Sequence, residues 1–184
     1  PRCSKNEEKI GEYILSVAEK NGLKAKQDEV GNIVIKKPGT TDQGAPITVL
    51  QSHMDMVCEK DEEVDHDFTE DPIKLRKEGE WVTAEGTTLG ADDGIGVATS
   101  LAIATSKNLE HGPLEFLFTV DEETGLTGAS NLKEDFIEGK KLINLDSEEF
   151  GEFTIGCAGG GNTEIFLPID TTKKDQNLIQ IKVT

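Results

Sequence analysis

Residues 114–120, LEFLFTV, constrain the fold more than any other stretch. So apolar a run, bounded by turn residues, reads as a strand buried on both faces, as in a parallel sheet covered by helices. It stops at Asp121-Glu122-Glu123-Thr124-Gly125, where three adjacent carboxylates repel one another and are costly unless cations or hydrogen bonds compensate them. The pattern recurs twice. Residues 47–57, ITVLQSHMDMV, hold a buried-strand run that ends at His53 and Asp55, and the strand-like residues 141–145 end in Asp146-Ser147-Glu148-Glu149. Ligands of open α/β sheets bind beyond the carboxyl ends of the strands, so all three clusters stand where chemistry is done.

The intervening stretches fit an α/β fold, a mixed and mostly parallel sheet flanked by helices. Ser4-Lys5-Asn6-Glu7 is a capping-box pattern, and Ile10, Ile14, Leu15, Val17 and Ala18 follow as one apolar stripe at helical spacing until Asn21-Gly22. Residues 23–27 and 32–36 read as two short strands around Val30-Gly31-Asn32, and Trp81-Val82 as another strand-like piece. Glycine-rich residues 87–96, TTLGADDGIG, open a helix over 95–105. They lack Gly-Lys-Ser/Thr, and Asp92-Asp93 would repel a phosphate, so these carboxylates suit a cation, with one of the pair serving as a helix cap. His66 reads as a surface residue and His111 as a loop residue. Residues 127–132 look helical and 153–157 strand-like. The alternating texture of 162–169 and 178–183 differs from the buried runs before it, which places a domain boundary near 158–161. Residues 1–158 would then be one domain and 159–184 the start of a second. The missing initiator Met and the final strand-like residues suggest an excised fragment.

Composition narrows the partners. A net charge of −17 argues against nucleic acid and anionic membrane surfaces, no apolar run approaches a membrane span, and no signal-peptide pattern opens the chain. Cys3, Cys58 and Cys157 are odd in number and in no CxxC arrangement, which suggests neither a disulfide framework nor a zinc knuckle and fits a reducing cytoplasm. Cys58 has no second His placed to activate it as a nucleophile.

His53 and Asp55, two apart on an extended segment, face one site, and Asp92, Glu122, Glu123 and Asp146 answer them from other strand ends. One imidazole among carboxylates suits zinc, cobalt or manganese, and bridging carboxylates allow two ions in one site. Two such ions can polarise a carbonyl and acidify a water, leaving one carboxylate as general base, so the expected reaction is amide hydrolysis. There is no GxSxG elbow and no HExxH helix to support serine-hydrolase or thermolysin-like chemistry.

The motifs SHMDMV, GADDG, DEETGLTGA and NLDSEE, in that order, resemble the co-catalytic metallopeptidases of the M20 type over essentially the whole chain. The QSHMDMVCEK context favours the aminoacyl-histidine dipeptidases among them, with tripeptidases and aminopeptidases of the same metal architecture as the rival reading and a non-catalytic acidic cation-binding module as the rival from another class. The resemblance implies two divalent ions, zinc first. It implies His53 and Asp146 as terminal ligands, one on each ion, Asp92 bridging, and Glu123 on either. Asp55 would orient His53, Glu122 would be the general base, and a cis peptide would follow Asp92. A small peptide substrate and a homodimer formed through a lid domain beginning near Gly159 are implied too. The family pattern also needs a further His ligand from the C-terminal part of the catalytic domain, and no His follows His111 here. The 184-residue chain by itself is therefore expected to be inactive.

Overall fold

A computed structural model describes residues 1–147, 149, 151–156, 159, 164, 166 and 168. The expected strands at 162–169 and 178–183, the boundary near 158–161 and Cys157 fall wholly or mainly outside them. Two units are distinguished, Pro1–Phe150 and Gly151–Thr184. The described residues 152–155 of the second unit carry no strand.

In the first unit, helix α1 (Glu8–Lys20) is followed by strands β1 (Lys24–Gln27), β2 (Ile33–Lys37) and β3 (Thr48–His53), and then by a hairpin of β4 (Leu75–Glu78) and β5 (Trp81–Ala84). Helix α2 (Ala91–Thr105), strand β6 (Leu114–Thr119), the one-turn helices α3 (Glu122–Gly125) and α4 (Thr127–Ser130), and strand β7 (Lys141–Asn144) complete it. The main sheet has the order β1-β2-β6-β3-β7. Strands β6, β3 and the edge strand β7 run parallel, whereas β2 pairs antiparallel with β6 and β1 antiparallel with β2.

Alternation along the strands divides the core between the two faces. Ile35, Phe116 and Leu50 stand in one cross-strand row and join Ile33, Phe118 and Met54 against Ile14 and Ala18 of α1 and Val97 and Ala104 of α2. The opposite face carries Val34, Val49 and Leu117, covered by Phe136. Both faces are thus buried, as the LEFLFTV run requires. Its one charge, Glu115, is only 1% exposed and is compensated by Lys36 at 3.2 Å and by the amides of Glu138 and Gly139.

Three local expectations are corrected. The Ser4–Glu7 capping box does not form, because α1 has no side-chain cap: the Ser4 hydroxyl donates to Asp55 Oδ2 and Glu7 Oε1 accepts from the Asp121 amide. His66 is buried rather than on the surface, with its ring edge-on to Phe68 at 4.5 Å between centroids. Cys3 and Cys58 form a disulfide, since the N-terminal segment bridges Met56 in parallel and brings their Cα atoms to 5.6 Å across 55 residues of sequence.

Candidate metal centre

Parallel strands β3 and β6 end side by side, with His53 opposite Thr119. Past that row the chain turns sharply on both. Asp121 adopts a left-handed backbone (φ 51°), which Asp tolerates better than most residues, and its carboxylate accepts from the hydroxyls of Thr124 and Thr127. Of the three adjacent acids, Asp121 is thereby used to build the turn. Glu122 and Glu123 are left at the start of α3, and Gly128 packs so closely on Asn32 and Val120 that a Cβ there would lie 2.4 Å from Asn32 Oδ1.

His53, 1% exposed, is fixed from three directions. Its backbone N–H donates to Asp93 Oδ2 at 3.1 Å, its Nδ1 lies 3.2 Å from Asp55 Oδ1, and its Nε2 lies 2.9 Å from Asp92 Oδ1 and 3.7 Å from Asp146 Oδ1. Asp55 accepts from four donors: besides His53, the Ser4 hydroxyl at 2.7 Å and the amides of Glu122 and Glu123 at 3.0 and 3.2 Å. That saturation holds its carboxyl well below the usual range despite burial, the largest single influence, which acts in the other direction.

The peptide between Asp92 and Asp93 is cis. Asp93 points inward, with Oδ1 accepting from the Gly96 amide at 3.0 Å and Oδ2 from His53. Asp92 and Asp93 form a non-helical step inside α2, and Asp93 caps the helical turn that follows this kink and not the start of α2 at Gly90. Asp92 points to the imidazole. Ligand atoms of His53, Asp92 and Glu123 lie within 4.8 Å of one another, and so do those of His53, Asp93 and Asp146. Both oxygens of Asp93 already serve backbone N–H groups, whereas Asp92 Oδ1 faces the ring nitrogen of His53. Glu122 and Asp146 line one cavity of about 240 Å³ beside this cluster.

The donor set fits a borderline divalent cation. Two ligands of one tetrahedral ion at about 2.0–2.1 Å stand about 3.3 Å apart, and the 2.9 and 3.7 Å separations around His53 Nε2 bracket that spacing. Asp55 on Nδ1 leaves Nε2 as the ligand nitrogen. With protons alone in the site, burial works against the imidazolium, but hydrogen bonds with Asp55 and Asp92 and the charge of Asp146 outweigh it and raise His53 to about 9. Burial, the hydrogen bond with Asp92 and the charges of Asp92 and Asp93 push Asp146 up to about 7 against the opposing charge of His53, and burial raises Glu123.

These directions set the pH dependence of metal uptake. An ion must displace the His53 proton, so affinity is low where the imidazolium persists and rises as pH climbs toward 9. Between pH 7 and 9 the gain is expected to be about fiftyfold from that one proton, half of the imidazole still being protonated at pH 9. Chelator-competition titrations of zinc across this range, in buffers that do not bind the metal, check the slope; a flat profile would remove His53 from the ligand set.

Sequence reasoning placed His53, Asp55, Asp92, Glu122, Glu123 and Asp146 here, and the fold brings all six to one end of the sheet. Arg2, Ser4, Glu7 and the turn-building role of Asp121 were missed. The only signal for Arg2, Ser4 and Glu7 was the polar N-terminal segment, which reads equally well as a helix cap, and nothing marked Asp121 apart from the two acids beside it.

Residues 49–165 match the peptidase family M20/M25/M40. The chain is 49% identical over 162 residues to the cytosol non-specific dipeptidase of Escherichia coli K12, covering 87% of this chain and 33% of that protein. Among solved structures, the aminoacylhistidine dipeptidase of Vibrio alginolyticus superposes with a TM-score of 0.79 at 50% identity, over 82% of this chain and 31% of that one. A tripeptidase from Staphylococcus aureus superposes with a TM-score of 0.66 at 27% identity, over 79% and 39%. The chain thus spans about a third of the length of the dipeptidases it matches. On the extent of the family match and the identity to these relatives, the chain belongs to peptidase family M20/M25/M40.

Proposed function

We propose that the complete protein to which this chain belongs is a cytoplasmic metallo-dipeptidase that cleaves Xaa-His and other dipeptides. The observation that carries the reading is the convergence of His53 at the end of β3, Asp92 in the first turn of α2 and Glu123 just past β6, with Glu122 beside them. His53, Asp92 and Asp146 would hold one ion, a departure from the expectation of separate ions that is supported by the 3.7 Å between His53 Nε2 and Asp146 Oδ1. Asp92 and Glu123 would turn toward a second, completed from elsewhere in the protein. When bound, the ions, zinc first and cobalt or manganese as alternatives, supply Lewis-acid polarisation of the scissile carbonyl and acidify a water.

The chain's own residues do the rest. Glu122, on the wall of the cavity, accepts the water proton at its carboxylate and returns it to the leaving amine. Asp55 keeps the His53 ring oriented through Nδ1. Likeness to a tripeptidase keeps substrate length as the second reading. Steady-state assays of the full-length protein on Xaa-His dipeptides against matched tripeptides decide between them, and a preference for tripeptides would overturn the dipeptidase assignment. Residues 1–158 and 159–184 as catalytic and lid portions, with a homodimer formed through the lid, complete the proposal.

Removing Asp55 tests the orienting role. Asp55→Ala is expected to lower kcat/KM or metal affinity by about 10–100-fold, the usual effect of losing a partner of a metal-bound histidine. Thermal unfolding alongside kinetics checks that the fold survives. An unchanged rate would rule the role out.

A further inference from the structure

Residues 2–4 lie outside every helix and strand and run beside the loop that leaves β3, with the Met56 amide donating to Arg2 O at 3.0 Å. From this position the Arg2 guanidinium reaches inward. Its Nη1 donates to Met54 O at 2.9 Å and Asp55 O at 2.7 Å, and its Nη2 donates to Gly90 O. These carbonyls belong to two separate turns, one presenting His53 and Asp55 and the other presenting Asp92. A planar fork of donors is suited to gathering several carbonyls at once, which an ammonium on a flexible stem is not. The space is made by missing side chains: a Cβ at Gly90 would lie 2.6 Å from Arg2 Nη2, and one at Gly94 would lie 2.7 Å away. Ser4 adds its hydroxyl bond to Asp55 from the same segment.

What fastens the segment is the Cys3–Cys58 disulfide, between Arg2 and Ser4 on one side and three residues past Asp55 on the other. Both cysteines are half-buried, within reach of a small reductant. In a reducing compartment such a bond is characteristically transient and redox-sensing.

We propose that Arg2 is a positioning residue for the metal centre and that the Cys3–Cys58 disulfide is its redox-sensitive fastening, so that reduction lowers metal affinity. The proposal rests on reading the His53 cluster as a metal site. A cellular dithiol supplies two electrons and two protons. The S–S bond breaks, Cys3 and Cys58 each leave as a thiol, and the dithiol closes to its own disulfide. Untethered, Arg2 no longer ties the turn at Gly90 to the turn at Asp55, and the spacing between Asp92 and His53 is released.

The experiment uses the full-length protein and zinc alone as the probe, in competition with a chromophoric chelator. Affinity is measured before and after treatment with a phosphine, which takes an oxygen from water to become the phosphine oxide and adds no thiol to compete for zinc. Alkylation and mass measurement confirm the thiols at Cys3 and Cys58. Zinc affinity is expected to fall about tenfold or more on reduction and to return on reoxidation. Cys3→Ser should show the low affinity in both conditions, and Arg2→Gln should show it even when oxidised. Equal affinity in the oxidised and fully reduced protein overturns the proposal, as does failure of the pair to oxidise. Absence of zinc binding in either state overturns the metal-site reading beneath it.

Discussion

Glu122→Gln is expected to lower turnover of the full-length protein by about a thousandfold while its metal content stays near that of the wild type. Proton transfer by a positioned carboxylate contributes about 10²–10⁴ to rate, and the amide that replaces it cannot accept the proton. The exchange is close to isosteric. The backbone of Glu122, whose N–H donates to Asp55 Oδ1 at 3.0 Å, keeps that bond, so the start of α3 should not move. Metal analysis by mass spectrometry beside steady-state kinetics separates the two possible roles, and loss of metal in this variant would make Glu122 a ligand instead.

Asp92→Ala is expected to abolish both activity and stable metal binding. Asp92 is the carboxylate on which the candidate centre converges, with Oδ1 2.9 Å from His53 Nε2 and Asp146 drawn to the same place. Without it His53 and Asp146 would face an ion across a missing ligand, and Glu123 would lose the group that joins it to them. About half of the Asp92 side chain is exposed, and it supports no described element, so secondary structure by circular dichroism should be unchanged. Two equivalents of zinc retained after dialysis in the folded variant would refute its central place.

Strands β2, β3 and β6 were legible because burial demands near-continuous apolar runs, and β7 was legible from the short apolar pair Leu142-Ile143 although it is exposed throughout. The candidate site was legible because such runs ended in acids and one His. Boundaries held within a residue or two for β2, β3, β6 and β7. β4, with the sequence LRKE and exposed throughout, carries no such signal and is set by pairing with β5. The N-terminal residues were misread for a related reason. Ser-x-x-Glu satisfies a helix end locally, but Ser4 and Glu7 find Asp55 and the Asp121 amide, partners 51 and 114 positions away that no window of sequence reveals. The Cys3–Cys58 pair belongs to the same class, since its proximity arises only when the N-terminal segment runs beside Met56.

The four donors on Asp55 divide the centre into parts that sequence change can and cannot reach singly. The hydroxyl of Ser4, the ring of His53 and the amides opening α3 all depend on one carboxylate, so an altered residue at position 55 would demand simultaneous accommodation from three separated segments. Asp146 carries no comparable load, the described carboxylates and imidazole beside it being Asp92, Asp93 and His53. Adaptation toward a different cation, in natural drift or in the laboratory, therefore has its cheapest starting point at Asp146, with Asp55 held constant as the fixed frame against which new ligand sets are tried.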